Sequence, residues 1–153
     1  MIFLADLFHP LPLCVDPAVE ARPVQLAVTA FGKKIGGAGL ITVQQDAYGL
    51  MMLSPGGLAL FHVHGPPAEV ESGIVEWVPW LARLPIERDL RVMFTDVPEG
   101  GCRAPHGRIQ TRIRADGWTH TWSGRDGAVK AERVGARITL NAAFYSLLVV
   151  DAD

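Results

Sequence analysis

Residues 108–134 read RIQTRIRADGWTHTWSGRDGAVKAERV, and the pattern of this stretch decides the fold. Three runs of side chains that alternate in polarity are separated by Asp116-Gly117 and Asp126-Gly127. Alternation at period two marks a half-buried strand, and Asp-Gly between two such runs is a strong hairpin signal. In the middle run Trp118, His120 and Trp122 share one face, with Thr119 and Thr121 on the other. In the first run Arg108, Gln110, Arg112 and Arg114 oppose Ile109, Thr111 and Ile113. Antiparallel pairing of these three runs is the expectation.

The same signals extend in both directions. Downstream, strands are predicted over 137–141 and 144–150. Upstream, Val24, Leu26, Val28 and Ala30 fall on one side of a strand over 24–31. The glycines at 32, 36, 37 and 39 punctuate a predicted turn before a strand over 40–43. Further strands are expected over 48–53, 58–64 and 90–95, with Ser54-Pro55-Gly56-Gly57 as a turn. Between them Ile74, Trp77, Val78 and Leu81 recur at helical spacing, which predicts one short amphipathic helix bent or split at Pro79 and stopped by Pro85. Residues 1–23 hold four of the 11 prolines and read as an irregular arm, ahead of a single β-rich domain over 24–153. The fold class is mainly β: a curved antiparallel sheet, an incomplete barrel, with the helix covering its concave face. An uncovered apolar face of that size would aggregate.

Composition sets outer bounds. The 153 residues include 16 acidic and 14 basic side chains, a net charge of −2 that lacks the basic excess of a DNA-binding domain. Two cysteines, Cys14 and Cys102, do not define a disulfide scaffold, and sequence alone does not say whether they pair. The longest charge-free run, residues 47–68, is broken by Pro55, Gly56 and Gly57 and carries His62 and His64, so no transmembrane helix is expected. Met1 to Asp6 has no basic residue ahead of its apolar ones, unlike a secretory signal. The expectation is the cytoplasm, or an export signal outside this sequence. Residues 83–137 carry a net charge of +4 and the remainder −6. That asymmetry suits a cationic patch for phosphate headgroups or an acidic partner, or simply a solvated strand face.

Few groups look chemical. His62 and His64, at i and i+2 on a strand, point the same way, with Glu69 five residues later. The pattern G-x5-H-x-H-x4-E from Gly56 to Glu69 resembles the first motif of the cupins, small barrels that often hold a transition metal. Around Pro105-His106-Gly107 a second fragment is present, but Gln110 and Arg114 stand where the cupin pattern has His and Asn. The resemblance implies a metal-dependent enzyme using His62, His64 and Glu69. The simpler reading gives those histidines local hydrogen bonds. Cys102, beside Arg103 and near His106, is either an activated thiol or an inert loop cysteine. No catalytic residue is assigned and no cofactor is expected. Trp118 and Trp122 read either as a platform for stacking a nucleobase or sugar or, more simply, as lining the apolar interior beneath the helix, with His120 as the polar handle between them.

The order of elements also resembles the LolA/LolB lipoprotein-carrier superfamily and related uncharacterised lipoproteins. The phrases that carry it are Leu53-Ser54-Pro55-Gly56-Gly57-Leu58, Pro79-Trp80-Leu81 leading to Leu90-Arg91-Val92-Met93-Phe94, Asp116-Gly117-Trp118, and Ala136-Arg137-Ile138-Thr139-Leu140. The resemblance implies an incomplete barrel cupping an apolar cavity and non-enzymatic binding of an acyl chain, lipid or acylated protein. Its lining or cover would include Trp77, Trp80, Leu81, Trp118 and Trp122, and Leu58 would be the apolar residue at a loop tip. Peripheral membrane contact and a place in the cell envelope follow from it, although Leu11-Pro12-Leu13-Cys14 is a poor lipobox. A third reading is a structural module that buries a sheet edge or the helix face in a protein complex.

Overall fold

The computed structural model describes residues 11–15, 19–44, 47–53, 56, 59–65, 69–72, 84–104, 106–125 and 127–151. They form one sheet of eleven antiparallel strands. These are β1 (Val19–Ala30), β2 (Lys33–Gln44), β3 (Ala47–Leu53), β4 (Ala59–Gly65), β5 (Glu69–Ser72), β6 (Cys102–Ala104), β7 (Gly107–Arg114), β8 (Gly117–Gly124), β9 (Gly127–Val134), β10 (Arg137–Asn141) and β11 (Tyr145–Asp151). Among the described residues one helix, α1 (Ile86–Phe94), lies between β5 and β6. The order across the sheet is β5-β4-β3-β2-β1-β11-β10-β9-β8-β7-β6, so two meanders meet where β1 pairs with β11 and the sheet does not close.

The hairpins are tight because their turns are short. Arg114 pairs with Gly117, Gly124 with Gly127, Val134 with Arg137, and Ala30 with Lys33, leaving two-residue connections in each case. At the last of these, Phe31 and Gly32 both have positive φ, 53° and 75°. Such backbone matches the twist of the flanking strands. Of the glycines predicted to punctuate one turn, Gly32 lies in this turn, whereas Gly36, Gly37 and Gly39 lie in the interior of β2, where they pair with Ala27, Leu26 and Val24. Gly39 is there because of crowding: a Cβ on it would stand 2.7 Å from the Met51 carbonyl oxygen.

Curvature follows from the helix. α1 lies against β2, β3, β8, β9 and β10. Along a flat sheet β3 and β8 would be about 29 Å apart at ~4.8 Å per strand, whereas nine helical residues span only about 14 Å. The sheet therefore curls around the helix. Its inner face supplies the core: Val24, Leu26 and Val28 of β1, Ile41 of β2, Leu50 and Met52 of β3, Leu140 of β10 and Leu147 of β11 are buried with Ile86, Leu90 and Met93 of α1.

The segment predicted as a strand over 90–95 is this helix. Leu90, Val92 and Phe94 do alternate, but Ile86, Leu90 and Met93 also fall at i, i+4 and i+7, and that face is what the core takes. Pro85, read as a helix stop, instead occupies the N-cap of α1, where a missing N–H costs nothing. Glu87 and Asp89 in the first turn and Arg91 in the last complement the helix dipole. The helix predicted around 74–81 lies outside the described residues. β1 begins at Val19, inside the stretch read as an arm, and β5 and β6 were not predicted.

The β6 edge is covered. Leu13 forms a parallel bridge with Arg103, the Cys14 amide donates to the Arg103 carbonyl (2.6 Å), and the Arg103 amide donates to Pro12 (2.7 Å). Cys14 and Cys102 form a disulfide across this junction, closing a loop of 88 residues in sequence. Cys102 thus carries no free thiol, and its reading as an activated nucleophile is corrected. An extended segment pinned along an edge strand also hides the unpaired backbone groups that invite aggregation.

Candidate functional site

The inner face is covered unevenly. Under α1 it is filled: Trp122 is 3% exposed, and Ile109, Ala131 and Leu140 are fully buried. Towards the β7–β8 turn the cover thins. Trp118 is only half-buried, and Ile113, its direct partner on β7, is 72% exposed. Both belong to the face that meets the helix, since residues 118, 120 and 122 share one side of β8 and His120 reaches α1 from that side.

His120 organises this end. It is 3% exposed, its ring stacks on the Trp118 indole (3.6 Å between centroids, 9° between planes), and its Nδ1–H donates to the Val92 carbonyl at 2.7 Å. Burial is the largest influence on its acidity and pushes its pKa below the usual histidine value, so the ring is held neutral. The role of polar handle between two indoles is thereby filled, with a helix carbonyl as the partner.

Across the sheet a second polar group is enclosed. Asp89 of α1 is fully buried, accepts from Arg88 Nε and Nη2 at 3.1 and 3.0 Å, and accepts a short hydrogen bond from the Tyr145 hydroxyl. Arg88 Nη2 also donates to the Tyr145 oxygen at 3.0 Å. Burial first, then the Asp89 charge, raises the Tyr145 pKa far above the ordinary tyrosine value. This triad fastens α1 to β11 and has the form of a structural lock, with its carboxylate enclosed rather than presented to a substrate. Nothing in the sequence pattern marks it beyond an Arg-Asp pair in an amphipathic segment.

The other predicted residues lie elsewhere. His62 and His64 project from β4 on the face opposite the helix, with ring centroids 4.8 Å apart and planes tilted by 38°. Strand register sets Glu69 of β5 opposite His64. Among the described residues no group of three or more His, Cys, Asp or Glu side chains gathers as a metal would require. Leu58, Trp77, Trp80 and Leu81 lie outside the described residues. The sheet end that carries the Phe31 turn also carries Phe144, because Ala30 pairs with Tyr145; the two phenylalanines are 64% and 77% exposed. Among the described residues no helix is long and apolar enough to cross a membrane.

No protein-family model matches the chain, and no curated protein matches it in sequence.

Proposed function

We propose that the protein is a non-enzymatic binding protein that holds an acyl chain, a lipid or an acylated protein against the inner face of its half-barrel, as the LolA/LolB resemblance implies. The observation that carries this reading is the apolar end of the inner face, where Ile113 is 72% exposed beside the half-buried Trp118. A buried methylene contributes about 0.8 kcal/mol, so a short stretch of chain laid on such a surface gives useful affinity without any polar group.

Two further features agree with it. Phe31 occupies a left-handed position that favours Gly, Asn or Asp, and it is exposed beside Phe144, with exposed Lys33 and Lys34 following it. Exposed aromatic rings at one sheet end, next to lysines, suit contact with an anionic bilayer. The Cys14–Cys102 disulfide fits an oxidising compartment such as the cell envelope.

The test is binding of a fluorescent fatty acid by the full chain. Saturable binding at micromolar concentration, weakened at least tenfold by Ile113→Glu with folding unchanged, is expected. Absence of saturable binding overturns the reading. The register of His64 with Glu69 favours one competitor, a cupin-like metal site on the outer face; elemental analysis after purification in metal-replete buffer separates the two.

A further inference from the structure

The outer face of β7, β8 and β9, opposite the helix, carries a trough of about 380 Å³. Strand register builds it in rungs. Gln110, Thr121 and Lys130 form one, Arg112, Thr119 and Glu132 the next, and Arg114, Gly117 and Val134 the third. The middle strand contributes only short side chains, while its neighbours contribute long cationic and polar ones. The result is a floor of hydroxyls between two walls. Gly117 is demanded by the backbone itself, since a Cβ there would collide with the Arg133 carbonyl oxygen at 1.8 Å.

Charge in the trough is unbalanced. Arg114 Nη1 reaches over β8 to Glu132 Oε1 at 2.9 Å, which neutralises the one carboxylate on these rungs. Among the described residues Arg112 and Lys130 have no carboxylate partner. Thr119 lines the trough, is 8% exposed, and its hydroxyl has no hydrogen-bond partner among the described residues. Buried hydroxyls are ordinarily bonded, and the Thr119 hydroxyl, with Arg112 on its own rung and Lys130 one rung away, is a donor waiting for an acceptor.

We propose that this trough binds a phosphate-type oxyanion, with Arg112 and Lys130 supplying charge and Thr119 and Thr121 supplying hydroxyl donors. A phosphoryl group has the several acceptor oxygens that such a set of convergent donors requires, and an acyl chain has none. The inference does not rest on the inner-face reading, because the trough lies on the opposite side of the sheet.

The experiment titrates the full chain with inorganic phosphate and pyrophosphate by calorimetry, and in parallel with phosphatidylcholine vesicles with and without phosphatidylglycerol, all at physiological ionic strength. Saturable binding in either arm, weakened at least tenfold by Arg112→Gln combined with Lys130→Gln and several-fold by Thr119→Val, is expected. Response to the soluble anions identifies a free phosphoryl ligand, and response to phosphatidylglycerol vesicles alone identifies a headgroup. Thr119→Val removes an unpartnered hydroxyl and keeps the side-chain shape, so its melting temperature should equal or exceed that of the parent and the loss of binding is not a loss of fold. No saturable binding in either arm, or binding indifferent to these substitutions, overturns the proposal.

Discussion

The Nδ1 atom of His120 lies 2.7 Å from the carbonyl oxygen of Val92, so a strand side chain caps the last turn of the helix that packs inside the curved sheet. A helix leaves its final carbonyls without intrahelical donors, and burial of α1 in the sheet makes that shortage costly. His120→Ala removes the donor and opens a cavity beside Trp118. A loss of about 2–4 kcal/mol is expected in urea unfolding.

The same histidine gives a pH signature. Its folded pKa is depressed by burial, so the unfolded chain binds a proton in a range where the folded chain does not. Its contribution is fully present above the unfolded histidine value of about 6.5 and is lost as pH falls below it. Unfolding free energies compared between the parent and His120→Gln should diverge least in acid and most at neutral pH. A difference that is constant from about pH 7 to about pH 5 contradicts the buried neutral ring.

Both tyrosines resist ionisation, for different reasons. Burial raises Tyr48 to about 12, aided by the Glu87 charge, and Tyr145 lies higher still because of burial and Asp89. Their folded values exceed the ordinary 10.0, so the stability they confer is present below that pH and falls as pH rises through the folded values. Near-ultraviolet titration of the folded protein should show no tyrosinate at pH values where the urea-unfolded chain is already half ionised. Tyr145→Phe should also cost about 1.5–3 kcal/mol, since Asp89 then loses a donor.

Sequence patterning reaches some of these features and not others. Alternation across residues 108–134 places Trp118, His120 and Trp122 on one face and the arginines of β7 on another, and strand register agrees. The 90–95 segment fits helix and strand templates alike, and burial of Asp89 against Tyr145, 56 residues away, decides it. The glycines of β2 look like a turn because their reason, the close approach of β3, lies outside the local sequence. Arg112 and Lys130 share a trough only through pairing of β7, β8 and β9, and Cys14 meets Cys102 only because residues 11–15 run along β6. Periodicity carries no information on such meetings.

The disulfide should matter for stability more than for shape. Closing a loop of 88 residues constrains the unfolded chain by about 4–5 kcal/mol on a chain-entropy account. Cys14→Ser combined with Cys102→Ser should lower the urea midpoint markedly while leaving the β-type circular dichroism spectrum intact. Equal midpoints with and without the bridge contradict this.

The exposed hairpin tips offer a separation of folding from function. Phe31→Gly relieves a left-handed backbone and removes an exposed ring, so stability should be unchanged or up to about 1 kcal/mol higher. Combined with Phe144→Ser it should reduce sedimentation with anionic vesicles by severalfold. Unchanged vesicle binding removes the membrane role of this end of the sheet.

The most direct test of acyl-chain binding uses a brominated fatty acid, whose heavy atoms quench only those indoles they approach. Titration of the parent should quench tryptophan emission saturably, and Trp118→Phe should lose most of that quenching while keeping its fold. Emission indifferent to the brominated chain, or quenching undiminished in Trp118→Phe, contradicts the placement of the chain on the inner face beside Ile113.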